Sequence, residues 1–370
     1  MFDRRVMCIA ASAWTLIVSL AEPAAGQEKW LESLHRATAL HREGHSVQAA
    51  RICEEATKQA RAGAASDADL ELIQFQQALI EIDAGNPRQS AARMEVIWRS
   101  RQNRLGPLHP ETLVAQLFLG QAYAMTGDLN QGLSLLGPVA RDLPRLLGAD
   151  APEVLVAEAA FAIALSDAGA PEKADKILSA TVARIRKSPV GRENILSVML
   201  GHLGTLKAMQ HDTGQARRLV REALEIRRKA AILDHPRSIA LYQTLGQAEI
   251  IAGRPKAALA ALDEALVLAG RFWPPEHSER GALYVSLGLA RLKSGDLAGA
   301  EEPLRKALSI TEAALGPNHE TVGGILAMQA ELMRRQHRRD EARRLEARSR
   351  EVFRQSQSQT VSVWSLTDSR

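Results

Sequence analysis

Apolar residues recur along this chain at helical spacing, and the helices they imply come in pairs. In the stretch beginning at Arg280, Leu283, Leu287, Ala290 and Leu292 fall near an i, i+4, i+7 series, which places them on one side of a helix. Laid out in blocks of 42 residues, the chain shows two columns of small side chains. Ala78, Gly120, Ala162, Gly204, Gly246, Gly288 and Ala330 form the first; Ser90, Gly132, Ala174, Ala216, Ala258, Ala300 and Ala342 form the second. A small residue in these columns lets two helices approach closely. Between them, Gly85, Gly127, Gly169, Gly253 and Gly295 mark a helix-ending position that takes a left-handed conformation. Pro87, Pro171 and Pro255 suit a first helical turn, and Asp128 and Asp296 suit N-caps.

Each block therefore predicts a helix A, a tight turn, a helix B and a linker. Seven registered pairs begin near Asp69, Glu111, Glu153, Glu193, Arg237, Glu279 and Thr321. A looser pair precedes them over Lys29 to Arg61, with Gly44 at its turn one residue out of register. Gly137-Pro138 and Pro303 fall inside predicted B helices, where proline removes a hydrogen bond and bends the helix.

The linkers repeat a phrase. LGPLHPET from Leu105 returns as LGADAPEV from Leu147 and LGPNHETV from Leu315, and ILDHPRSI from Ile232 keeps its HP core. His109, His235, His277 and His319 are spaced by 126, 42 and 42 positions. A fixed period of this size marks a solenoid, in which each repeat buries its apolar face only against its neighbours.

These columns resemble the tetratricopeptide repeat, in the 42-residue variety of kinesin light chains and many bacterial repeat proteins. Leu119, Gly120, Tyr123 and Gly127, then Leu135 and Leu136, match its pattern, as do Leu287, Gly288, Gly295 and Ala300. The resemblance covers about residues 66–350 and implies an all-α, right-handed solenoid of about seven to eight helix-turn-helix repeats. It also implies a concave groove lined by A helices. Its three columns contain Phe75, Leu117, Gln243 and Val285; Phe118, His202, Thr244, Ser286 and Met328; and Leu79, Ile163, Thr205, Gln247 and Leu289. The first half of this face is apolar and the middle is uncharged and polar. The apolar columns have two readings, an open wall or core covered within the chain. Phe118, His202, Thr205, Gln243, Thr244, Gln247 and Ser286 are the residues expected to meet a protein or peptide partner. Kinesin light chains carry asparagines in the first two columns, where they hold a peptide backbone; none stands there in this chain.

Composition changes the picture little. Hydrophobic residues are 46% and aromatics only 4%, which suits closely packed helices better than a β-sandwich. The 47 basic and 43 acidic residues are mixed rather than single-signed, which is weak evidence for a polyanion partner. Arg334, Arg335, Arg338 and Arg339 crowd the last pair as candidate anion-facing groups, with a solvated end-cap face as the alternative. Nucleic acid is not expected, because no aromatics are interleaved for base stacking.

The first residues carry an expectation about location. Arg4 and Arg5 precede a 16-residue uncharged, mostly apolar run from Val6 to Ala21, and Pro23-Ala24-Ala25-Gly26 supplies small residues for cleavage before Gln27. The run reads as a secretory signal over residues 1–26 and hence as periplasmic or secreted bacterial export; a retained anchor is the alternative. Cleavage would leave no membrane span. It would also leave Cys53 as the lone cysteine, which rules out an internal disulfide. Residues 27–65 are then a degenerate helical pair, 66–355 the repeats, and 356–370 a flexible polar tail.

The linker histidines invite a metal reading, but equivalent positions in adjacent repeats sit roughly 10 Å apart. No nucleophile elbow, phosphate loop, zinc-protease helix or CxxC pair is present. The expectation is a non-enzymatic scaffold without metal or cofactor. An assembly subunit of an envelope complex, acting through its end faces or tail and joining copies of itself, is the alternative.

Overall fold

The computed structural model describes residues 28–187, 189 and 191–367, with side chains from 29 to 355. Among them are sixteen helices and no strand. They form eight consecutive pairs: α1 (Glu28–Arg42) with α2 (Ser46–Ala62), α3 (Asp67–Asp83) with α4 (Pro87–Leu105), α5 (Pro110–Thr126) with α6 (Leu129–Leu147), and α7 (Pro152–Asp167) with α8 (Pro171–Lys187). There follow α9 (Glu193–Met209) with α10 (Thr213–Lys229), α11 (Pro236–Ile251) with α12 (Pro255–Phe272), α13 (Ser278–Ser294) with α14 (Leu297–Leu315), and α15 (Glu320–Arg335) with α16 (Arg339–Thr367). The architecture is an all-α solenoid of helical repeats. The expected leader at 1–26 lies outside the described residues. The expected polar tail falls partly in α16, whose helical backbone continues to Thr367.

The start and stop signals act as their chemistry requires. Asp128, Asp212 and Asp296 accept a hydrogen bond from the backbone N–H three residues on, at 3.1, 2.9 and 2.9 Å. In the alternate repeats Pro87, Pro171 and Pro255 open the B helix, a site where the missing N–H would have no partner anyway. Two devices thus alternate along the chain. At the turn between A and B, Gly127 closes α5 at φ 94 and Gly295 closes α13 at φ 84. Two members of this column are not glycine: His211 and His337 both hold φ 62. Pro138 and Pro144 in α6, and Pro303 in α14, lie within continuous helices.

The residues divide into two compact units. One comprises the chain up to Leu206 with Glu225–His235; the other comprises Lys207–Leu224 and the chain from Pro236 on. In the first, Trp30, Leu34, Cys53 and Ile73 belong to one buried cluster that joins the first pair to α3. Cys53 behaves as a small hydrophobe whose thiol burial pushes up to about 12. α5 and α7 are apolar on nearly every side and bury Leu113, Leu117, Phe118, Leu155, Ala159 and Ile163 alike. In the second unit the core runs through Leu262, Leu287, Ala290 and Ile325 and then through Leu304, Leu332 and Met333.

The first small column admits a leucine of helix B. A Cβ on Gly120 would stand 2.9 Å from Leu136 Cγ, on Gly246 2.7 Å from Leu262 Cγ, and on Gly288 2.7 Å from Leu304 Cγ. Interiors packed at crystal-like density have no slack for a methyl group at such distances.

Candidate partner-binding face

The A-helix columns assigned to the groove divide sharply by exposure. Phe75, Leu79, Val114, Leu117, Phe118 and Ile163 are all buried. Phe75 and Phe118 meet edge to face with ring centroids 5.9 Å apart. Arg101 of α4 lies 4.8 Å from the Phe75 centroid, donates to Glu71 Oε1 at 2.8 Å and reaches the Glu111 carbonyl at 3.2 Å. Of the two readings of the apolar columns, the structure gives the covered one: this half is core. Phe118, expected to meet a partner, is 1% exposed.

The polar middle is different. In the first unit His202 and Thr205 of α9 are half-buried. Thr205 Oγ1 donates to the Gly201 carbonyl at 3.2 Å. His202 Nε2 is buried without a hydrogen-bond partner, and burial pulls its pKa down to about 4, so the ring is neutral near pH 7. In the second unit Gln243 and Ser286 are buried, whereas Thr244 and Gln247 are half-buried. The Gln243 and Gln247 amides both reach Ser286 Oγ at 3.5 Å, and Ser286 Oγ donates to the Ala282 carbonyl at 3.2 Å. Gln243 and Ser286 therefore form a buried polar base that ties α11 to α13. Gln247 reaches that base from the half-buried part of α11, where Thr244 is half-buried too; Val285 and Leu289 of α13 and Met328 of α15 are also half-buried. Amide and hydroxyl groups together with aliphatic side chains can engage a peptide.

The arginines of the last pair are occupied. Arg334 pairs with Glu331 and Glu346 at 2.9 and 3.2 Å, and Arg338 with Glu301 and Glu341 at 3.0 and 2.6 Å. Arg335 donates to the Leu292 carbonyl at 2.7 Å, while Arg339 is exposed. Arg348 is bonded to Glu312. This is the arrangement of a solvated end face laced with ion pairs.

The linker histidines have a role that residue pattern did not indicate. His109, His277 and His319 are N-caps of α5, α13 and α15. Each ring accepts at Nδ1 the backbone N–H two residues on, at 3.2, 3.3 and 3.2 Å. Their place immediately before a helix was the available signal, but imidazole is not among the usual capping side chains. Among the described residues no three His, Cys, Asp or Glu side chains gather as metal ligands, and no helix is long and apolar enough to cross a membrane. A second residue missed from sequence is Arg227 of α10, fully buried and bonded to Asn194 Oδ1, Ser197 Oγ and the Ile232 carbonyl at 2.8, 3.2 and 2.8 Å.

With this geometry in view, the comparisons with known proteins are direct. The tetratricopeptide-repeat family model matches residues 195–269 and 279–355. Over these residues the chain is built of tetratricopeptide repeats. A Rap protein complexed with competence and sporulation factor is 14% identical, with a TM-score of 0.65 over 92% of this chain and 90% of that one. The apo quorum sensor NprR from B. thuringiensis is 12% identical, with a TM-score of 0.62 over 90% of this chain and 89% of the other. BtubC from P. vanneervenii is 14% identical, with a TM-score of 0.54 over 62% of this chain and 92% of its own. At these identities the likeness shows the fold alone. No curated protein sequence matches the chain.

Proposed function

We propose that this tetratricopeptide-repeat protein is an exported, non-enzymatic scaffold that binds a protein or peptide segment along its A helices. The observation that carries this reading is half-buried Gln247 on the buried Gln243–Ser286 base, with half-buried Thr244 on the same helix. An extended or helical peptide needs such a surface, with uncharged donors and acceptors for its backbone beside aliphatic contacts for its side chains. Within the first unit, His202 and Thr205 of α9 are uncharged polar groups of the same kind. The Rap protein whose fold this chain resembles is described in complex with a signalling factor, which supports a ligand-binding use of the fold. The residues of the N-terminal apolar run support export to the bacterial periplasm or medium.

Affinity capture with the exported protein, followed by mass spectrometry, tests the reading. A protein enriched on the native chain and lost on a Thr244→Ala/Gln247→Ala variant supports it. Equal enrichment on both moves recognition away from this face. N-terminal sequencing of the exported protein tests location, with Gln27 as the expected first residue.

The assembly reading draws on one observation: α16 has 29 residues, whereas the other helices have 15 to 19. Removing residues 356–370 and measuring mass by light scattering separates the two. A monomer with and without them discards self-assembly.

A further inference from the structure

His109, His277 and His319 occupy the same place in three repeats and make the same contact. Each residue has extended backbone, at φ −67, −61 and −73, and turns its ring onto the first turn of the helix it opens. The bond made there is an N–H of the backbone donating to Nδ1. That nitrogen accepts only when it carries no proton. Serine, threonine, asparagine or aspartate would hold the same N–H across a far wider range of pH.

We propose that these imidazole caps make the joints into α5, α13 and α15 proton-sensitive, holding each A helix to its linker near neutral pH and releasing it on acidification. Protonation acts twice at each joint. It turns the acceptor into a donor that faces another donor, and it sets a positive charge at the positive end of the helix dipole. Both effects oppose the capped geometry. Nothing in the inference depends on the partner-binding reading, although α13 and α15 carry Ser286 and Met328 of that face.

His277 has Glu279 and Arg280 on its own helix, and Arg280 Nη1 donates to the Trp273 carbonyl at 3.1 Å. From the end of α12 the Trp273 indole stacks on the His277 ring at 4.8 Å, 5° from parallel. Burial and then the Arg280 charge hold the His277 pKa below its ordinary value. His109 has Glu111 on its own helix and, from α4, Arg101 on the Glu111 carbonyl. His319 has Glu320 on its own helix; Glu312 of α14, at the turn closed by Gly316, is taken by Arg348 of α16. Among the described residues no carboxylate is bonded to any of the three rings.

At His277, whose pKa is held low, the cap contributes stability above the unfolded histidine value of about 6.5 and loses it as pH falls through the folded one. The full chain and a His109→Asn/His277→Asn/His319→Asn variant, whose caps do not titrate in this range, are compared by urea unfolding at pH 7.5 and 5.5. Other acid-sensitive groups, His202 among them, are common to both, so only the difference counts. The native folding equilibrium is expected to weaken on acidification more than the variant's, by about fivefold where one cap is lost outright. Equal weakening overturns the proposal. Where the triple variant is unfolded at pH 7.5, the three single variants give the same comparison. Nitrogen NMR of the histidine-labelled native chain at pH 7.5 checks the premise without substitution. Three rings protonated at Nε2 alone support it, and Nδ1-protonated rings at these positions overturn it.

Discussion

Gly323 of α15 lies under the ring of Phe353 of α16, so closely that a Cβ on Gly323 would stand 3.1 Å from two ring atoms. The pair is 30 positions apart, and the same spacing joins Gly281 to Thr311, Ser197 to Arg227, and Glu71 to Arg101. One seat in the repeat is thus filled in complementary ways: phenylalanine or threonine over glycine, or an arginine on serine or a carboxylate. Gly323→Leu should overpack this seat and destabilise the chain by about 1–3 kcal/mol. A lowered urea midpoint checks this; an unchanged one means the Phe353 ring swings aside freely.

Arg227 fills that seat with a charge in a fully buried site. Its guanidinium serves Asn194, Ser197 and the Ile232 carbonyl. Arg227→Leu should leave these acceptors without their donor, at about 1–3 kcal/mol for each group stranded in the interior. Arg227→Lys should recover only part, because an ammonium cannot span the same fork of acceptors. Chemical denaturation of both variants orders them native, Lys, Leu; a leucine variant as stable as the native chain would show that water replaces the guanidinium.

The helix pairs were legible because each rests on a local rule repeated in register. Small residues admit Leu136, Leu262 and Leu304, while glycine, proline and aspartate set the ends. The degree of covering was not legible. Phe75, Phe118 and Leu79 read as a possible apolar wall, but they are closed over by contacts such as Arg101 on Phe75, which no spacing reveals. The polar residues divided for the same reason. Gln243 and Ser286 turn toward the next helix, whereas Thr244 and Gln247, one and four positions further along α11, remain half open. Arginine count likewise pointed to an anion-facing end, whereas geometry pairs Arg334 and Arg338 with neighbouring glutamates.

His202 predicts a second response to acid. Its ring is held neutral by burial with a pKa of about 4, under the ordinary histidine value, so its contribution is present above about pH 6.5 and fades as pH falls toward 4. His202→Gln should therefore flatten the decline of the urea midpoint over that interval while keeping a polar group at the site. A decline of unchanged slope would show that the ring is accessible to protons in the folded chain.

His337 and His211 stand in the column otherwise held by turn glycines, and both adopt φ 62. A side chain in the left-handed region costs roughly 1–2 kcal/mol, whereas glycine is at ease there but adds freedom to the unfolded chain. The first effect should win at a turn whose backbone already matches that of Gly127 and Gly295. His337→Gly is expected to raise stability by about 0.5–1 kcal/mol, and His211→Gly by a similar amount while Asp212 continues to cap α10. Thermal unfolding should show higher midpoints for both, nearly additive in the double variant because the two turns lie three repeats apart in sequence. A lower midpoint for either would mean that the histidine side chain makes a contact worth more than the strain it imposes.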